Sequence, residues 1–323
     1  MERSNFEQFF EGTLRDRLQT MEKVRTELKF RAIKCIALAI VAGLAVGCLW
    51  SATRELNQLA FVIPGALVGK LAEYFWFTPG WDDYVARFKS EIIAEVVRFI
   101  SPTLQYEPGS LISQSIYMGS GIFQKQPDRY KGEDMVAGTV GATALRFSEI
   151  HSQYKTEGVD SKGRRKTQWH TIFKGLFFQG DFNKHFGAQT FVLTDVAEKL
   201  LGNLGQSLQG SHGSAKLVKL EDPVFEKEFV THGTDQIEAR YILTPALMSR
   251  IVEFKKKAKR DIQLSFVGAN VYVAIPYSEN LFEPRLFRSG VNLEQIQGYY
   301  EALSLTISIV EDLNLDTRIW TKD

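Results

Sequence analysis

Residues 35–50 read CIALAIVAGLAVGCLW, without a single charge. Carried back through Ala32 and Ile33, the run approaches the ~20 residues that an α-helix needs to cross a bilayer. It is apolar on every face, which argues against an ordinary buried core helix. The rival reading is a cleaved signal, since Ala45-Val46-Gly47-Cys48 approximates a lipoprotein cleavage box. But the segment before the run is long and carries several Glu and Asp residues, whereas signal n-regions are short and basic. The spacing therefore predicts a transmembrane helix over 32–50, with Lys34 near one membrane face.

A second apolar segment covers 59–77. Its first part is uninterrupted; then Lys70 and Glu73 intervene before Tyr74-Phe75-Trp76-Phe77. Three residues apart, Lys70 and Glu73 share a helix face and can pair. Charges inside a span are costly. Two readings follow: Lys70 snorkels beside an interfacial aromatic belt, or the pair is a functional intramembrane site. Pro64-Gly65 is a candidate kink. Lys23, Arg25, Lys29, Arg31 and Lys34 precede the first span, only Arg54 lies in the connector, and Arg87 and Lys89 follow the second. The excess of basic residues on both outer flanks puts those flanks in the cytosol. The expected location is the inner (cytoplasmic) membrane, multi-pass, with the bilayer as first partner.

Working outward, residues 1–31 form an amphipathic cytosolic helix. Phe10, Leu14, Leu18, Met21, Val24 and Leu28 recur at three- and four-residue steps. This stripe is either a coiled-coil seam for a homo-oligomer or a face that docks on the chain itself. On the other side, Thr78-Pro79-Gly80 reads as a break, and Val85, Phe88, Ile92, Val96 and Ile100 mark another amphipathic helix. Residues 102–144 are mixed. Strands are expected at 145–154, 167–178, 188–194, 215–220, 226–232, 236–243, 262–267 and 270–275, with a hairpin turn at Gly268-Ala269-Asn270. A helix opens at Pro245 and runs to about Lys259, and Asn292 caps a final helix. Strands and helices do not alternate regularly. The class is thus α+β: an N-terminal transmembrane helical hairpin, then a mostly antiparallel sheet domain flanked by helices over 79–323.

Composition narrows function. The net charge of +1 supplies no single-sign field for nucleic acid. Both cysteines, Cys35 and Cys48, sit in the first apolar run, so the domain has neither a disulfide framework nor a thiolate metal site. The five histidines lack metal-ligand spacing. Gly205–Gly210 has the spacing of a phosphate loop, but Ser211-His212 replaces the Lys-Ser/Thr that the phosphates need. No GxSxG elbow is present. No cofactor is expected.

Three polar constellations remain. Lys162, Arg164, Arg165 and Lys166 form one basic cluster, and Lys255, Lys256 and Lys257 another. Each is either an anionic-lipid contact or, respectively, a solvated loop and a helix C-terminus suited to cations. Asp235, Glu238 and Arg240 lie in a stretch expected to be strand, where Glu238 and Arg240 share a face. They read as a structural ion pair or as part of a ligand cleft.

Several stretches also resemble a bacterial membrane-anchored family catalogued as domain of unknown function 3137. They are Tyr130–Asp134, Lys174–Phe178 with Asp181–Asn183, Leu217–Phe225, Asp235–Pro245 and Glu311–Leu315. The resemblance spans about 80–320, and its most specific string is Asp-Gln-x-Glu-Ala-Arg-Tyr. It implies an anchor with a cytosolic domain and supplies no activity. Such families often have genes beside LemA-type membrane proteins, which implies a LemA-type partner. The expected function is a membrane-tethered interaction or regulatory protein without evident catalysis. The alternative is an enzyme or small-ligand sensor around Asp235, Glu238 and Arg240.

Overall fold

Long helices come before any strand. In the computed structural model, which describes residues 3–51, 59–159, 163–182, 184–194 and 215–315, α1 (Arg3–Phe9) passes through a π turn at Phe10–Leu14 into α2 (Arg15–Ser51). The expected boundary at residue 31 thus falls inside one continuous helix, because no residue from Lys29 to Lys34 is a helix breaker. Next come α3 (Leu59–Ala72) and a π turn at Glu73–Phe77, then α4 (Thr78–Phe88). Thr78-Pro79-Gly80 therefore restarts a helix rather than ending one. Pro79 sits in the first turn, where a missing N–H is tolerated, and Thr78 Oγ1 donates to the Glu73 carbonyl at 3.1 Å. A third π turn (Lys89–Ile93) joins α4 to α5 (Ala94–Ile100), completing the amphipathic segment expected there.

Among the described residues, no helix is long and apolar enough to cross a membrane. The expected spans, 32–50 and 59–77, run into residues 46–61, whose side chains lie outside this description, as does the connector holding Arg54.

The chain divides into two compact units, Met1–Glu95 with Phe282–Tyr299, and Val96–Leu281 with Tyr300–Asp323. In the first unit, Phe10, Leu14, Leu18, Met21 and Leu28 are buried by the chain itself. That burial favours the docked reading of the stripe over a free coiled-coil seam. Arg25, also buried, grips Glu22 through two hydrogen bonds of 2.9 and 2.6 Å. The same pair holds a loop: Arg25 donates to the Leu286 carbonyl, and Glu22 accepts from the Gly290 N–H at 2.8 Å. Burial pushes the Glu22 carboxyl up, but the Arg25 bond, the Gly290 N–H and the Arg25 charge outweigh it and hold the group below its usual range.

The second unit holds a nine-stranded antiparallel sheet in the order β1-β2-β3-β4-β9-β8-β5-β7-β6. The strands are β1 (Leu104–Glu107), β2 (Arg129–Val140), β3 (Thr143–Val159), β4 (Arg165–Asp181), β5 (Thr190–Leu193), β6 (Lys216–Leu217), β7 (Val230–Gly233), β8 (Gln263–Val267) and β9 (Asn270–Pro276). Gly268, at φ 63°, makes the β8–β9 turn as expected. β1, β2 and the short helix between them, α6 (Gln114–Gly119), arise from the stretch that looked mixed. Consecutive buried residues Leu176, Phe177 and Phe178 show that the central strands are covered on both faces. One face packs Tyr117, Phe123, Phe173, Phe177 and Phe191 into an aromatic core.

Two expected strands are corrected. Residues 226–232 divide between helix α7 (Pro223–Glu228) and β7, because Asp222 caps the helix and accepts from the Val224 and Phe225 N–H groups. Residues 236–243 are not a strand but helix α8 (Gln236–Ile242), which Asp235 caps in the same way. The helix expected from Pro245 is α9 (Pro245–Ala258), with Thr244 as its cap. The last is α10 (Leu293–Ile307), where Asn292 Oδ1 accepts from the Gln295 N–H at 3.2 Å; α11 (Ile309–Asp312) follows.

Candidate functional site

The α2–α3 pair is built on small residues. A Cβ placed at Gly65 would lie 2.7 Å from the Ala39 carbonyl oxygen and 3.2 Å from the Gly43 Cα. One at Gly69 would lie 2.8 Å from the Ala39 Cβ. Ala39-xxx-Gly43 on α2 therefore meets Gly65-xxx-Gly69 on α3, the small-xxx-small contact that lets apolar helices bring their backbones together. Sequence reading missed this pairing, although four-residue spacing of small residues in an apolar run was a signal for it.

The faces turned away from that contact are unlike a water-facing surface. Ile36, Ile40, Val41 and Leu44 on α2, with Val62, Ile63 and Leu67 on α3, are each between 55% and 62% exposed. Tyr74, Phe75 and Trp76 are exposed beyond them. Soluble monomers rarely expose apolar patches of this extent. Between the helices runs a groove of about 790 Å³, lined within 32–44 on α2 and 62–77 beyond the connector, with Leu286 and Phe287 from the loop that Arg25 holds. Lys70 and Glu73 pair at 2.8 Å as their spacing predicted, with Lys70 well exposed.

In the second unit, the chemistry concentrates on Glu149. It lies on the sheet face that also carries Phe147 and, across the β3–β4 ladder, Leu176 and Phe178. The residue opposite it on β2 is Glu133. Its carboxylate accepts the Leu281 N–H at 3.0 Å. Burial, then the nearby Asp134 and Glu133 charges, push its pKa up to about 7 against the relief of that N–H. Asp134 is itself buried in a β-bulge at φ 62°, a left-handed conformation Asp tolerates. Its carboxylate accepts the Tyr106 hydroxyl and its N–H reaches the Pro108 carbonyl at 2.9 Å. Sequence reading placed no weight on Glu149, since a lone Glu in an alternating strand carries no motif.

The other expected sites resolve as follows. Asp235 accepts from the Ile237 and Glu238 N–H groups at 2.7 and 2.9 Å, as an N-cap. Glu238 accepts from the Gly187 and Ala188 N–H groups at 2.9 and 2.7 Å. Arg240 is exposed and bonds Gln236 one turn back. The expected Glu238–Arg240 ion pair is therefore corrected: on a helix, residues two apart point away from each other. Lys255 is drawn to Glu228 at 2.9 Å and Asp261 at 3.4 Å, and Lys257 to Asp312 at 2.6 Å. Lys256 and Lys257 are both exposed, and the ion pairs of Lys255 and Lys257 largely neutralise the cluster. Arg164, Arg165 and Lys166 are exposed at the start of β4, whereas Lys162 and the stretch Gly205–Gly210 lie outside the described residues.

Fold and site define the class: an α+β protein with long N-terminal helices, an exposed apolar helix pair and a nine-stranded antiparallel sheet. Residues 171–315 match the family described as "Protein of unknown function (DUF3137)". The match is shorter than the resemblance over 80–320 implied, and Tyr130–Asp134 falls outside it. No curated protein matches. Among solved structures, the crystal structure of the mycobacterial trehalose monomycolate transport factor A, TtfA, aligns at 11% identity over 68% of this chain and 94% of that one. Its TM-score of 0.35 is too low to carry an argument.

Proposed function

We propose that the chain is a membrane-tethered interaction or regulatory protein. In this reading α2 and α3 insert as a helical hairpin into the inner membrane, and the sheet-bearing unit lies in the cytosol. The observation that carries it is the set of apolar side chains Ile36, Ile40, Val41, Leu44, Val62, Ile63 and Leu67, each exposed by more than half. In water such a belt opposes solubility; in hydrocarbon it is the expected surface. Exposed Tyr74, Phe75 and Trp76 suit the headgroup level, and Lys34 and Lys70 suit snorkelling. The LemA-type partner implied by the family resemblance fits a tethered interaction module.

The sensor reading around Asp235, Glu238 and Arg240 loses support, since Asp235 and Glu238 hold backbone N–H groups and Arg240 bonds its own helix. The test is extraction of membranes with alkaline carbonate. The full chain should stay in the pellet, and a chain lacking 32–78 should leave it. Release of the full chain into the supernatant would refute the tether.

A further inference from the structure

We propose that the open edge of β4 over residues 165–173 docks an extended acidic segment of a partner polypeptide, which adds to the sheet as one more strand. The inference rests on the interaction half of the reading above and deepens it; it does not need the tether. β9 covers β4 only from Gly175 to Asp181, and the Tyr277 N–H carries that cover one residue further, to the Lys174 carbonyl at 3.0 Å. Beyond it, among the described residues, β4 is paired on one side only, with β3. The ladder shows which groups the open side presents. Lys155 lies opposite Trp169, and its N–H points away from β4, where it meets Asp128 Oδ2 at 2.8 Å. In an antiparallel ladder such a pair turns the N–H and C=O of both residues outward. Trp169 therefore directs its N–H and C=O to the open edge, and Thr167 and Arg165 do the same at steps of two. At ~3.3 Å per residue, 165–173 gives a docking edge of roughly 30 Å.

The sign of the partner follows from the charges on this edge. From Arg164 to Gly180 the sequence holds Arg164, Arg165, Lys166 and Lys174 and no acidic residue. Arg165 and Lys166 are exposed and lie on opposite faces of the strand, so acidic residues at neighbouring positions of an added strand would each meet a cation. The carboxylates flanking the ribbon both bond Lys155: Glu157 its Nζ at 3.0 Å, Asp128 its N–H. A second copy of the chain is a poorer occupant, because self-pairing would bring together two edges that carry only cations. A nucleic acid strand is poorer too, since it needs open aromatic faces for its bases. Here the Trp169 ring carries Arg129 at 4.0 Å, and the Tyr154 ring carries Lys125 at 3.6 Å with His170 stacked on it. An anionic membrane would answer the charge but leave the row of backbone groups unpaired. An extended acidic chain uses both.

The test uses the full chain in detergent with two synthetic probes, an octapeptide of alternating glutamate and valine and its lysine counterpart. Binding is read by the anisotropy of the labelled peptide, and hydrogen exchange is followed in fragments covering 163–173. The glutamate peptide should bind, slow exchange over 165–171 and lose affinity with added salt; the lysine peptide should do neither. Thr167→Pro removes an outward N–H and no bond to β3, so it should abolish binding while the melting temperature shows the fold intact. Arg165→Gln/Lys166→Gln leaves the backbone of the edge untouched and should weaken binding roughly 2- to 30-fold. Failure of the glutamate peptide to bind, equal binding of both peptides, binding that does not slow exchange over 165–171, or binding unchanged in both variants would overturn the proposal. Protection of these amides by phosphatidylglycerol vesicles but not by peptide would overturn it in favour of a membrane contact. Protection that grows with protein concentration alone would overturn it in favour of self-pairing. None of these outcomes touches the tether, which carbonate extraction judges separately.

Discussion

Glu149→Gln should stabilise this protein, and by an amount that depends on pH. The carboxyl sits on a buried sheet face beside Phe147, opposite Glu133, and its pKa is raised from 4.5 to about 7. A raised carboxyl favours its protonated form in the fold. Its destabilising effect is absent below pH 4.5, grows between 4.5 and 7, and is complete above 7. At 1.36 kcal/mol per pKa unit, the full effect is about 3 kcal/mol. Gln keeps an oxygen for the Leu281 N–H and carries no charge at any pH. The variant should therefore melt with wild type near pH 4.5 and roughly 6–12 °C above it at pH 8, taking ~2–4 °C per kcal/mol for a unit of this size. Thermal unfolding of the full chain in detergent, read by circular dichroism across this range, measures the difference. An offset that is the same at pH 5 and pH 8 would refute the reasoning, because only an ionising carboxyl gives the slope.

Other substitutions separate the roles now assigned. Glu238→Ala leaves two backbone N–H groups without their acceptor and should cost about 1–3 kcal/mol, read as a fall in melting temperature. Arg240→Ala, on an exposed helix face, should cost less than about 0.5 kcal/mol, and the double variant should not recover the Glu238 loss. Arg25→Ala strands the partly buried Glu22 and frees the loop at Leu286, costing about 3 kcal/mol or more; hydrogen exchange over 284–290 should rise with it. Gly65→Leu should splay the α2–α3 pair, since its Cβ would meet backbone at 2.7 Å; proteolysis around 28–45 should accelerate, whereas Ala66→Leu should leave it unchanged.

Long-range periodicity made much of the fold legible in the sequence. β3, β4, β8 and β9 alternate or run apolar between turn residues, and α9 and α10 carry both caps and stripes. The two misread strands share one cause. Asp235-Gln-Ile-Glu-Ala-Arg-Tyr has charges in alternation, which mimics a strand, while Asp235 itself is a helix cap. Propensity and cap favoured helix, and over seven residues the alternation was accidental. Asp222 misled in the same way before Pro223. β1 and β2 were hidden because β2 carries a bulge at Glu133/Val136, which shifts its register and breaks the period of two. The Lys70–Glu73 pair was readable because both members lie one turn apart. Glu149 was not, since its environment comes from β2, β4 and the Leu281 loop, all distant in sequence. The basic run Lys255–Lys257 misled for the complementary reason: its acids, Glu228 and Asp312, are supplied by distant segments.

The central claim is a hairpin tether with its domain on the cytosolic side, and impermeant thiol labelling tests it most directly. In a Cys35→Ser/Cys48→Ser background, one cysteine is placed in the connector by Thr53→Cys and, in a second protein, one on the exposed domain surface by Lys256→Cys. On intact spheroplasts the connector cysteine should react with an impermeant maleimide and the domain cysteine should react only after the membrane is opened. Labelling of Lys256→Cys from outside, or equal labelling of both before and after opening, would contradict the account.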